Sequence, residues 1–145
     1  MVTDGKPTWT IPAGWQESQP SQFLLAKFII AGADGATAQV NISSLAGDGG
    51  GGLAANVNRW RGQLGLPPVA EILTTSFVVA GGQASVVDFT GTDAKTGKPA
   101  RLVGVVLPFG GQTWFYKLMG DETIVAQQKA ALTQFIQSAK YPDAP

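Results

Sequence analysis

Apolar and polar residues alternate with a period of two along residues 37–43. Ala38, Val40 and Ile42 face one way and Thr37, Gln39, Asn41 and Ser43 the other, the signature of a half-buried strand. Residues 23–30, rich in Phe, Leu and Ile and charged only at Lys27, predict a strand before it, and the turn residues at 31–35 join the two as a hairpin. Beyond a glycine-dominated loop at 45–52 the period changes to about 3.6, which puts Leu53, Val57, Trp60 and Leu64 on one face of a helix. Gly65, Pro67 and Pro68 stop that helix, because glycine suits the C-terminal cap and proline cannot continue the ladder. Strands follow at 72–79, 83–90, 101–107 and 113–119, separated by Gly81-Gly82, by a polar loop at 91–99 and by a turn at 108–111. Asp121 and Glu122 suit the N-terminus of a second helix, whose stripe of Val125, Leu132, Phe135, Ile136 and Ala139 ends before Tyr141-Pro142. At the start of the chain, Trp9 and Trp15 around Pro12 and Gly14 read as a short edge segment.

Hairpin-length links between successive strands require antiparallel neighbours, and two amphipathic helices need sheet faces to cover. The fold class is therefore α+β, a mostly antiparallel sheet of six or seven strands with helices packed on it. With 145 residues and no repeat or linker, residues 1–145 form a single domain, and 1–8 are expected to be a loose tail. A chain of this length buries roughly 68–70% of its unfolded surface, so one core suffices without metal or disulfides.

Composition narrows the chemistry. Ten basic residues balance ten acidic ones with no block of like charge, which removes the electrostatic footprint of a nucleic-acid binder. The absence of Cys excludes thiolate metal sites, disulfides and cysteine nucleophiles. Without His the chain also lacks the commonest general base, the commonest transition-metal ligand and the Ser-His-Asp triad. No catalytic residue, cofactor or transition metal is expected, whereas oxygen ligands in the loops leave calcium open. The N-terminus has no basic region followed by an apolar one, and no apolar stretch approaches about 18 residues. A start this abrupt fits a cloning start at Met1 behind a removed targeting segment.

Three groups of residues invite a functional reading. Gly47, Gly49 and Gly52 formally satisfy G-x-G-x-x-G, with Glu71 about twenty residues on, but a dinucleotide site needs a parallel strand-helix-strand unit and the strand before the loop belongs to a hairpin. A tight helix entry is the simpler reading, and the free amides of Gly49, Gly50, Gly51 and Gly52 leave an anion or partner contact open. On the helix that follows, Asn56, Arg59 and Gln63 form a ridge along one side and Arg61 lies on the other flank; either Arg61 and Asn56 border the buried face and hydrogen-bond to neighbouring loops or carboxylates, or the ridge makes a recognition surface beside the glycine loop. Arg61 is expected to pack its stem and pair its guanidinium, and Arg59 to face solvent. Trp114 and Tyr116 point to one face of their strand and Phe115 and Lys117 to the other, both sets under helices. Asp88 is expected to pair with an arginine, and Lys95, Lys98 and Arg101 to be a solvated loop cluster.

Three segments together resemble a known family. Trp9-x-x-Pro12-x-Gly14-Trp15, the helix at 56–66 (NVNRWRGQLGL) and the run at 114–121 (WFYKLMGD) look like a bacterial family of unknown function, often predicted to be lipoproteins or exported proteins. The element order is similar to the PsbP-like fold, an α/β/α sandwich shared by the extrinsic PsbP subunit of photosystem II and a eukaryotic Ran-binding import factor. The resemblance implies a monomeric accessory protein of the periplasm or cell envelope, not an enzyme. Its membrane link would be only a lipid upstream of Met1. The residues expected to carry binding are Gly49, Gly50, Gly51, Gly52, Asn56, Arg59 and Gln63. They serve either a protein partner or, alternatively, a small ligand, an anion or an enzyme substrate, and a deep pocket with Asn56 and Arg59 converging on it would favour the second reading.

Overall fold

A computed structural model of the chain describes residues 7–21, 24–47, 52–79 and 82–141. Seven strands form one sheet: β1 (Trp15–Ser18), β2 (Ala26–Ala31), β3 (Thr37–Ala46), β4 (Thr75–Val79), β5 (Gly82–Thr92), β6 (Pro99–Phe109) and β7 (Gln112–Asp121). Helix α1 (Gly52–Gln63) lies between β3 and β4 in the chain, and α2 (Glu122–Gln137) follows β7. The spatial order is β1-β2-β3-β7-β6-β5-β4, and every neighbouring pair is antiparallel. β7 therefore joins two meanders by pairing on one side with β3 and on the other with β6.

Alternation along the strands sends their apolar residues to two cores. The larger core gathers Phe28, Ile30, Val40, Ile42, Val103, Val105, Tyr116 and Leu118 beneath Val125, Leu132, Phe135 and Ile136 of α2. The smaller lies on the opposite face, where Val57, Trp60 and Leu64 of α1 cover Val87, Leu102, Val106 and Phe115. Asp121 caps α2 by accepting from the amides of Thr123 and Ile124 at 3.0 and 3.1 Å, as the acidic start of that helix requires. Both ends of the described chain return to the α2 face. Thr8 and Lys140 exchange backbone hydrogen bonds at 3.0 and 2.8 Å, while Trp9 Nε1 donates to the Tyr116 hydroxyl, which also bonds that of Tyr141 at 2.7 Å. Residues 1–6 of the expected tail lie outside the described residues, but the buried Pro7 and the tied Thr8 belong to the fold.

Element types match the sequence periodicities, and the boundaries differ for local reasons. The first strand begins only at Trp15, after a turn at Gly14 with φ +86°, so the Trp9 to Pro12 stretch is an irregular segment, with Trp9 stacked on Phe135 at 5.1 Å. β4 starts at Thr75 because Ile72 leaves the strand path to pack beside the α1 core. β5, β6 and β7 run longer than expected, since continuous ladder pairing carries them past the last apolar residue.

The position of α1 over the sheet is set by Gly104 on β6. A Cβ there would sit 2.2 Å from Cζ3 and 2.5 Å from Cε3 of Trp60, so the indole occupies the space a side chain would need. The ring then meets Phe115 edge-on, with centroids 6.2 Å apart. The helix end is fixed the same way, because a Cβ on Gly91 would lie 2.5 Å from the Leu64 carbonyl oxygen. Gly104→Ala is expected to lower stability in urea by about 1–3 kcal/mol, the usual cost of overpacking, with a red shift of tryptophan emission as Trp60 is displaced. Gly62→Ala, on the exposed side of the same helix with nothing within 4 Å of the added Cβ, is expected to raise stability by up to about 1 kcal/mol. Equal effects of the two substitutions would contradict this packing.

Candidate functional site

α1 covers only the β5-β6-β7 half of its sheet face. On β1, β2 and β3 that face shows Gln16, Ser18, Lys27, Ile29, Ala31, Thr37, Gln39, Asn41, Ser43 and the exposed Leu45, and no described element lies over them. One row of paired residues runs across the boundary, from Lys27 to Asn41 to Lys117 to Gly104, the seat of Trp60. Lys117 is thus the first residue of the row beyond the indole, at the edge of the covered half.

Beside it opens a trough of about 500 Å³, with Gln39, Asn41, Lys117 and Met119 in its floor, Arg59 and Gln63 of α1 on one wall and the 93–95 loop on the other. The loop is held against the helix end by backbone bonds, Thr92 N to Leu64 O and Ala94 N to Gln63 O, both 3.0 Å. Leu66 N bonds back to Arg61 O at 2.9 Å around Gly65, whose φ of +69° closes the helix. Lys117 Nζ donates to Gln63 Oε1 at 2.8 Å, and no carboxylate among the described residues pairs with it. Burial, with Lys95 and Arg59 nearby, holds its ammonium below the usual lysine range. Gln39 Nε2 donates to Asn41 Oδ1 at 2.9 Å, which aligns the two amides along the floor. The one carboxylate at the rim, Asp93, is turned to its own loop and accepts from Lys95 N at 2.7 Å. A larger cavity of about 710 Å³ adjoins at the end of the sheet, around the β2-β3 turn and the start of α2. Its Asp121 is committed to capping α2, and Asp34, Asp93 and Lys98 line it as well, whereas the smaller trough is lined by Arg59, Lys95 and Lys117.

The sequence-predicted residues fall into three groups. Gly49, Gly50 and Gly51 lie outside the described residues, and Gly52 is the first residue of α1 at φ +85°, as a tight helix entry demands. Asn56 is not on an open ridge. It is 0% exposed, with Nδ2 donating to Gly52 O at 2.7 Å and Oδ1 accepting from the Arg59 guanidinium. Arg59 and Gln63 are brought together, Arg59 exposed and Gln63 engaged with Lys117. Three further expectations concern other side chains. Asp88 does pair with an arginine, bonding Arg101 through both oxygens at 2.8 and 2.6 Å and Lys129 of α2 at 2.7 Å, and these bonds hold its carboxyl below the usual range. Arg101 consequently leaves the expected solvated cluster, and Lys95 joins the trough. Lys117 was expected beneath a helix and lies at its margin, because α1 ends its coverage at β7. The sequence carried no signal for this, as nothing in it places β3 beside β7.

The two helix arginines separate as their angles on the helix require. Arg61 is half-buried, donates Nε to Pro67 O at 2.9 Å and lies over the Phe89 ring at 5.6 Å from its centroid.

Among the described residues no helix is long and apolar enough to cross a membrane, and no three Asp or Glu gather as metal ligands. A seven-stranded antiparallel sheet with one helix on each face and a polar trough beside the first of them defines an α+β protein of the PsbP-like fold. Neither a protein-family model nor a curated protein sequence matches the chain. Solved structures do. LpqN, involved in cell envelope biogenesis of Mycobacterium tuberculosis, superposes with TM-score 0.58 at 15% identity over 97% of this chain and 87% of its own. PA94 of Pseudomonas aeruginosa, a protein of unknown function, gives 0.56 at 17% identity over 97% and 100%. Cyanobacterial PsbP from Synechocystis gives 0.54 at 14% identity over 97% and 95%. At these identities the likeness is one of fold.

Arg61→Ala is expected to lower the urea midpoint by an amount corresponding to about 1–3 kcal/mol, since the Pro67 carbonyl and the Phe89 face both lose a partner. Arg59→Ala, an exposed side chain that donates to the buried Asn56 Oδ1, is expected to cost less, about 1 kcal/mol or below, for the loss of that one bond. A larger loss for Arg59→Ala, measured under the same conditions, would contradict the orientation of α1.

Proposed function

We propose that the chain is a non-catalytic accessory domain of the bacterial cell envelope that engages a protein partner through the bare half of the sheet face and the Arg59 edge of α1. The observation that carries this reading is the half-covered face: a mostly polar surface on β1, β2 and β3 that is continuous with the trough beside α1. The likeness in fold to LpqN supports the compartment, and the chain's lack of His and Cys supports a role without catalysis. The alternative reading, a small-ligand site or enzyme built on the glycine loop, asked for a deep pocket with Asn56 and Arg59 converging on it. Asn56 is instead buried with its amide on Gly52 O, and the trough runs out onto the open strands, which favours a broad partner. In this reading the domain works outside the cytoplasm as a monomer and needs no cofactor.

Site-directed photo-crosslinking in the cells that produce the protein tests the proposal. A photoreactive residue at position 59 or 43 is expected to give one discrete adduct with another envelope protein, and the same residue at 126 or 130, on the exposed side of α2, is expected to give none. Adducts of equal yield from both sides, or none from position 59 or 43, would overturn it.

A further inference from the structure

The bare face is basic as well as polar. Of the residues that β1, β2 and β3 turn to it, Lys27 is charged and none is a carboxylate, because Glu17 of β1 points to the other side of the sheet with Trp15. Lys117 adds a second cation in the same row, two strands away across Asn41, or about 9–10 Å at the usual strand spacing. Arg59 and Lys95 overhang Lys117 from the helix and the loop. Around the trough three cations thus stand against one carboxylate, and that carboxylate, Asp93, is bound to its own loop amide.

Lys117 is the unusual member. A half-buried ammonium whose sole bonded partner among the described residues is the neutral Gln63 amide retains two donors and an uncompensated charge. Proteins bury charge with a counter-charge, and among the described residues none is paired with Lys117. From this geometry we infer that the trough and the lysine row receive an acidic segment of the partner, with one carboxylate between Lys117, Arg59 and Lys95 and a second at Lys27. This deepens the reading of the face given above by naming the chemistry of what docks there. The floor is open along β3, so an extended chain fits it. Asn41, between the two lysines, offers its amide to the chain passing over it. Surface cations scattered singly would attract any anion, whereas a row with a fixed spacing selects a ligand carrying at least two carboxylates.

The test uses the whole chain, amide-resolved NMR at low ionic strength, and a hexaglutamate peptide as probe, with hexaglutamine and inorganic phosphate as comparators. Glutamate peptide is expected to shift the amides of Asn41, Lys95, Lys117 and Met119, and hexaglutamine to shift none. Lys117→Met, which removes a buried charge and is expected to fold, should weaken the peptide by at least about tenfold, in line with the loss of a charge-assisted bond. Lys27→Gln should weaken it by about threefold through the more exposed contact. Lys140→Gln, an exposed lysine at the far end of the molecule, should leave it unchanged. Absence of those shifts, equal loss in Lys140→Gln, or inorganic phosphate binding as tightly as the peptide at the same amides would overturn the inference. A discrete crosslink from position 59 together with a silent peptide titration would remove the acidic segment and leave the partner surface standing.

Discussion

Everything on the α1 side of the sheet follows from Trp60 standing on Gly104. An indole replaces the side chain that β6 lacks, so the helix cannot slide toward β3 without losing the contact, nor toward β4 without driving the ring into its neighbours. With the helix pinned there, and its last turn locked to β5 where Gly91 lets Leu64 O approach, its polar flank comes to lie over β7. Lys117 is one strand from Gly104 in the same row, which is why it emerges at the helix margin and why Gln63 reaches it. The trough is a by-product of a packing contact, and its charge comes from which residues the strands happen to turn upward at that boundary.

The two faces of the sheet solve different problems. On the α2 side a large aromatic core of Trp9, Trp15, Phe28, Trp114, Tyr116 and Phe135 closes the sheet along its whole width and ties both ends of the described chain to it. That side holds most of the apolar burial and with it most of the stability. The α1 side can therefore leave half its strands uncovered, and polar residues there cost little because they stay in contact with water.

Much of this was legible in the sequence. The shift of period at Leu53, the cap at Asp121, the alternation of Ala38, Val40 and Ile42 and the angular separation of Arg59 from Arg61 each rest on local geometry, and each appears in the structure. What could not be read depends on contacts far apart in the chain. The pairing of β3 with β7 brings Asn41 next to Lys117, 76 positions further along the chain, and no local pattern encodes it. Gly104, inside an apolar run that reads as ordinary strand, carries no turn signal, so its role as a seat shows only once Trp60 is placed on it. For Asn56 the sequence left two places open, the border of the buried face or an exposed ridge, and the structure takes the first, with the residue buried and its amide on Gly52 O. The fold likeness to LpqN, PA94 and cyanobacterial PsbP extends over nearly the whole chain, yet with identities of 14–17% it transfers the scaffold and not the residues of the trough.

One half of the α1-side face is covered and the other open, with the boundary at Lys117. Paramagnetic relaxation by a soluble, uncharged gadolinium chelate reads this directly, side chain by side chain. Strong relaxation is expected at the side-chain protons of Lys27, Ile29, Asn41 and Ser43, weak relaxation at Val87, Leu102, Val106 and Phe115, and an intermediate value at Lys117. Uniformly weak relaxation across the whole face, or protection of Ile29 equal to that of Leu102, would contradict it.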